Sequence, residues 1–103
     1  MSETKRDFSK PVKLIFGLLP PEHQELMQFP LDSMTQHVQK TGDTESKSAE
    51  AKFRTFMIVY RHLLISKRLV NVNHFGNRFL HPTTEELWTE AQQLYMSLKN
   101  GSG

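Results

Sequence analysis

The sequence predicts a small single domain, mainly helical with one β-hairpin, an α+β arrangement. Three observations carry this. The chain has 103 residues, which suits one domain with one modest core. Residues 47–66 place Ala49, Phe53, Phe56, Met57, Tyr60, Leu63 and Leu64 on one stripe at about 100° per residue, the period of an amphipathic helix. Residues 68–81 read as two short strands around His74-Phe75-Gly76-Asn77, where Gly76 and Asn77 tolerate the positive φ of a tight turn.

Each element has its own local signals. The domain is expected over residues 9–99, with 1–8 and 100–103 as flexible tails. Residues 9–20 fit both periods, since Val12, Ile15, Phe16 and Leu19 have helical spacing while Val12, Leu14 and Phe16 alternate. Ser9 ahead of Pro11 favours a helix start. Pro21 opens a short helix over 21–28, which Pro30 is expected to interrupt. A second short helix follows from Leu31 to Lys40, with Leu31, Met34 and Val38 on one face and Gly42 as its left-handed stop. Ser46 or Thr44 caps the long helix that starts at Lys47. Leu69 to Asn73 and Arg78 to His81 form the hairpin strands, and Pro82 ends them. A last helix spans 83–99. Thr83 and Glu86 have capping-box spacing, Leu87, Trp88, Ala91, Leu94, Tyr95 and Leu98 form its stripe, and Asn100-Gly101 supplies the stop.

Composition excludes several classes. Cysteine is absent, so disulfides, thiolate metal sites and a cysteine nucleophile are ruled out. No apolar run approaches the roughly 20 residues of a membrane span, and the polar start carries no secretory signal. A cytoplasmic protein is the expectation, nucleoid-associated if bacterial. The five histidines have no metal-ligand spacing, and no phosphate-binding glycine loop or nucleophile elbow is present. We therefore expect no enzyme activity, no metal, no cofactor and no small-molecule ligand.

Charge is unevenly placed. Residues 47–81 hold seven basic side chains and one acidic one, between flanks of net negative charge, although the whole chain is only +2. Such a block is a candidate footprint for an anionic partner. Lys47, Arg54 and Arg61 form a seven-residue row on the face of the long helix opposite its apolar stripe, with Ala51, Thr55, Ile58 and His62 beside it.

The order of elements from Leu31 to Leu80, about half the chain, resembles a winged helix-turn-helix domain. Leu31–Lys40 matches the first helix of the turn motif, Gly42–Ser46 the turn, Lys47–Leu64 the recognition helix and Leu69–Leu80 the wing. The stretch Arg61–Glu85 is similar to the helix–wing–helix join of small bacterial regulators. The long recognition helix and the acidic turn depart from the pattern.

The resemblance implies a small DNA-binding regulator, such as a transcriptional repressor or a plasmid or phage accessory factor. Double-stranded DNA would be its partner, and the helix over 83–99 would form a homodimer. The residues it assigns to nucleic acid are Lys47, Lys52, Arg54, Thr55, Arg61 and His62 on the helix. Lys67, Arg68, Asn73, His74, Phe75, Asn77 and Arg78 join them from the wing. The residues alone allow two other readings. One is a protein-interaction adaptor or inhibitor of a larger machine, recognised by an exposed apolar patch. The other is RNA binding through the same basic surface.

Overall fold

In the computed structural model the described residues are 6–71 and 82–101, and they form four helices. These are α1 (Ser9–Leu18), α2 (Pro21–Thr41), α3 (Lys47–Ser66) and α4 (Thr84–Gly101). The α2–α3 pair makes a helical hairpin. Helix α1 packs on both α2 and α4, and α4 also lies on α3.

The first helix resolves the ambiguity of residues 9–20. It buries Val12 and Ile15, and the Asp7 carboxylate accepts from the Ser9 and Lys10 backbone N–H groups and from the Ser9 hydroxyl. Those are donors that the start of a helix leaves without intrahelical partners. Phe8 is buried and Arg6 is tied to α4, so the folded unit begins ahead of Ser9.

The expected break at Pro30 does not occur, and α2 runs unbroken through it. Proline deletes one helical hydrogen bond, and its mid-helix cost is about 3 kcal/mol. Met27, Pro30 and Met34 share the buried face, and burial of apolar side chains of this size contributes about 1.5–3 kcal/mol each. Packing outweighs local propensity here. Gly42 does end α2 in the left-handed region at φ 71°, with its N–H on the Val38 carbonyl at 2.7 Å.

The turn between α2 and α3 is organised by Asp43. Its carboxylate accepts from the Ser46 hydroxyl, from the Glu45 and Ser46 N–H groups, and it contacts His37 Nε2 at 2.8 Å. The Ser46 hydroxyl in turn accepts from the N–H groups of Ser48 and Ala49, as a helix cap should. The Ser46 hydroxyl bond, then His37, hold the Asp43 carboxyl well below the usual carboxylate range.

The core is centred on α3. Ala49, Phe53, Phe56, Met57, Tyr60 and Leu63 are buried, joined by Val12, Ile15, Met27, Met34, Leu87 and Ala91 from the other helices. Phe8, Phe53 and Trp88 form an aromatic triangle with centroids 5.5–5.7 Å apart. The capping box of α4 is present, with Thr83 N–H on Glu86 Oε1 at 2.9 Å and Glu86 N–H on Thr83 Oγ1 at 3.1 Å. The helix is described to Gly101, two residues beyond the expected end at 99 and through the expected stop residues Asn100-Gly101.

The α+β, winged-helix-like expectation is overturned, because the described residues are all-helical with no strand. Leu69 and Val70, placed in a strand by sequence, instead close the end of α3. The Arg68 N–H reaches the Ile65 carbonyl at 3.0 Å, and the Leu69 N–H reaches the Leu64 carbonyl at 2.8 Å. This is a Schellman motif, with Arg68 at φ 59° where glycine is usual. Backbone donors used on a helix end are unavailable to a strand ladder. The turn and return strand of the expected hairpin fall on residues 72–81, outside the described residues.

Candidate functional site

The basic face expected on the long helix is divided by α4. Arg61 is buried at 4% exposure, and its Nη2 donates to Glu90 Oε1 at 2.6 Å while Nε donates to the same oxygen at 3.1 Å. Arg54 donates from Nη1 to Thr84 Oγ1 at 3.0 Å and from Nη2 to the Pro82 carbonyl at 3.1 Å. The Thr84 hydroxyl also donates to Glu50. Two of the three row members thus hold α4 against α3, and only Lys47 stands exposed at the start of the helix.

The remaining assigned residues are scattered. Lys52 Nζ donates to Ser33 Oγ at 3.1 Å, bridging α3 to α2. The Thr55 hydroxyl donates to the Ala51 carbonyl within its own helix, and His62 is exposed. Lys67 and Arg68 are exposed at the far end of α3. Asn73, His74, Phe75, Asn77 and Arg78 lie outside the described residues. Beyond Lys47, the outward stripe of α3 (Ala51, Thr55, Ile58 and His62) carries no arginine or lysine.

The signal for this arrangement was present but unread. Glu86 and Glu90 are spaced i, i+4 on α4, and Glu50 precedes Arg54 by four on α3. Carboxylates on one helix and guanidiniums on another can pair across an interface as readily as they can face solvent.

Two hollows flank α4. The larger, about 780 Å3, lies between α3 and α4 and includes Tyr60, Arg61, Glu86 and Glu90. Its charged groups already serve the Arg61–Glu90 pair, the Arg6–Glu85 pair and the α4 cap. Burial, then the Glu90 charge, push the Tyr60 hydroxyl above its ordinary pKa, so it stays protonated.

The second hollow, about 560 Å3, is a groove between α1 and α4. Pro11 and Leu14 line it from α1, and Trp88, Tyr95 and Met96 from α4. Leu14 is 40% exposed and Met96 52%. Trp88 turns one side to Phe8 and Phe53 in the core and still reaches the groove.

The edges of this groove are basic. Arg6 lies 5.2 Å over the Trp88 ring and pairs with Glu85 at 2.5 Å, and Lys10 lines the α1 lip. Lys99 Nζ is 5.8 Å from the Tyr95 ring centroid. The acidic residue of the lining is Asp7, whose carboxylate is engaged at the α1 start.

Sequence reasoning placed Trp88 and Tyr95 in the packing stripe of the last helix, and they are half-buried there. It missed the groove because the lining from α1 comes from the other end of the chain. Among the described residues no three His, Asp or Glu side chains gather as metal ligands would. No described helix is long and apolar enough to cross a membrane. No protein-family model matches this chain, and no curated protein or solved structure shows detectable similarity to it.

Proposed function

We propose that this chain is a protein-interaction module that binds a protein partner in the α1/α4 groove. The observation that carries this reading is an aromatic-floored, basic-edged groove whose Leu14 and Met96 remain solvent-exposed. Two packed helices with apolar side chains between them suit a third, amphipathic helix. Met96 is a flexible thioether that adapts to an incoming side chain, and Trp88 offers a rigid one.

Duplex DNA is the competing partner. It would have to be held by Lys47, Lys67 and Arg68 without Arg54 and Arg61, which are engaged with α4. Phosphate contacts of that kind make affinity fall steeply with salt, with a log–log slope of about −0.9 per contact.

A photo-crosslinking residue at Gln92, which lines the groove, separates the two in the native cell. Protein adducts at Gln92, absent from a control position at Thr55, are expected. Adducts to nucleic acid, or a salt-steep duplex affinity that Lys67→Ala/Arg68→Ala abolishes, would overturn the reading in favour of DNA.

A further inference from the structure

We infer that the partner of the α1/α4 groove is a second copy of this chain, which docks through the outer face of α2. The inference rests on the groove being a protein-docking site and adds the identity of the occupant.

The first half of α2 presents an unusual ridge. Glu22, Glu25, Leu26, Phe29 and Asp32 are all exposed, at spacings that put them on one helix face. Phe29 is 76% exposed and Leu26 53%, the two most solvent-accessible large hydrophobics of the α2 helix. The ring of the next residue, Pro30, is in the core, so Phe29 projects from a helix that is anchored directly beneath it. Two apolar side chains flanked by three carboxylates form this ridge. No Lys or Arg occurs between Lys13 and Lys40, so nothing on this part of the helix offsets that charge.

The groove is its complement. Its floor is apolar, Lys10 stands on the α1 lip, Lys99 lies against the Tyr95 ring, and Arg6 is paired with Glu85 beside Trp88. Of the acidic groups of α4, Glu90 is directed to Arg61 and Glu86 to its own helix start, while Glu85 pairs with Arg6 at the groove edge. The sizes also agree. Glu22 to Asp32 spans about 15 Å of helix and Trp88 to Met96 about 12 Å, at 1.5 Å per residue. An acidic apolar ridge entering a basic apolar groove buries Phe29 and Leu26 against Trp88, Tyr95 and Met96 while opposite charges meet at the edges.

Every copy carries both surfaces. A two-fold pair satisfies both contacts at once and closes, whereas a head-to-tail contact leaves a free ridge and a free groove and continues to grow.

Sedimentation of the full chain from about 1 μM to about 500 μM tests this. Emission of Trp88, the chain's single tryptophan, is a second readout placed in the groove itself. Wild type is expected to associate with rising concentration, with a matching change in Trp88 emission. Phe29→Asp and Met96→Asp should each weaken association about tenfold or more. Both positions are more than half exposed, so their melting temperatures serve as the folding control. Mixing the two variants should restore a pair, because the first retains a groove and the second a ridge. Lys10→Glu should weaken association and Glu25→Lys in the same chain should recover it.

A wild-type chain that stays monomeric throughout overturns the inference, as does association indifferent to these variants. If a monomeric chain still forms adducts to a different protein at Gln92, the occupant is wrong and the docking site stands. If Gln92 yields no protein adduct, both fail together.

Discussion

Replacing Glu90 by alanine should destabilise the fold far more than an ordinary surface substitution. The change leaves the Arg61 guanidinium buried at 4% exposure without the carboxylate that accepts from its Nε and Nη2. Removing one partner of a buried ion pair costs about 3–5 kcal/mol, because the remaining buried charge loses the carboxylate that offsets its desolvation. The Glu90 side chain is 23% exposed, so water can partly reach the vacated space and the lower end applies, about 3 kcal/mol. For a chain of this length the melting temperature should fall by about 12–24 °C. The urea midpoint should drop by about 1–3 M with the slope unchanged.

The assay is urea and thermal unfolding followed by far-UV circular dichroism, on wild type, Glu90→Ala, Arg61→Met and the Arg61→Met/Glu90→Leu double variant. The double variant removes both charges together and should lie within about 1 kcal/mol of wild type. A Glu90→Ala protein within about 0.5 kcal/mol of wild type refutes the assignment of Arg61 as an internal clamp. A double variant as unstable as Glu90→Ala refutes the pairing. The result also decides how an Arg61→Ala defect in nucleic-acid binding should be read, since a change that unfolds the protein removes every surface at once.

The other clamps make related predictions. Arg54→Lys should lower stability by about 1–3 kcal/mol in the same unfolding assay, because an ammonium cannot reproduce the fork that reaches both Thr84 and the Pro82 carbonyl. The two left-handed positions should respond in opposite directions to thermal unfolding. Gly42→Ala should cost about 1 kcal/mol, and Arg68→Gly should add up to about 1 kcal/mol. Asp43 sets an acid limit. Its folded pKa is depressed, so its stabilisation is complete above the ordinary carboxylate value of 3.8 and is lost as the pH falls below that value. A urea midpoint measured against pH should decline there in wild type and less steeply in Asp43→Asn.

Much of the helical architecture was legible in local chemistry. The apolar stripe of α3, the Ser46 cap, the Thr83/Glu86 capping box and the Gly42 stop are short-range patterns, and each sits where its residues predict. Pro30 was misread because a helix breaker was weighed without the core that holds its ring. The end of α3 was misread because Leu69 and Val70 have strand propensity, while a left-handed Arg68 has no sequence signature comparable to glycine.

The candidate site was harder to see for a physical reason. The sign and spacing of Lys47, Arg54 and Arg61 are properties of the sequence, and they describe a solvent-facing basic row as well as an interhelical clamp. Which of these they form depends on where Thr84 and Glu90 arrive, 30 positions from Arg54 and 29 from Arg61, and only packing brings them there. Likewise, Leu14 and Met96 are unremarkable members of two amphipathic helices until α1 lies along α4 and leaves both half uncovered. By itself the sequence determined which segments coil and where they cap, because those energies act over one helical turn. The tertiary structure alone decided which charges are consumed and which apolar side chains face water, because those depend on neighbours far apart in the chain.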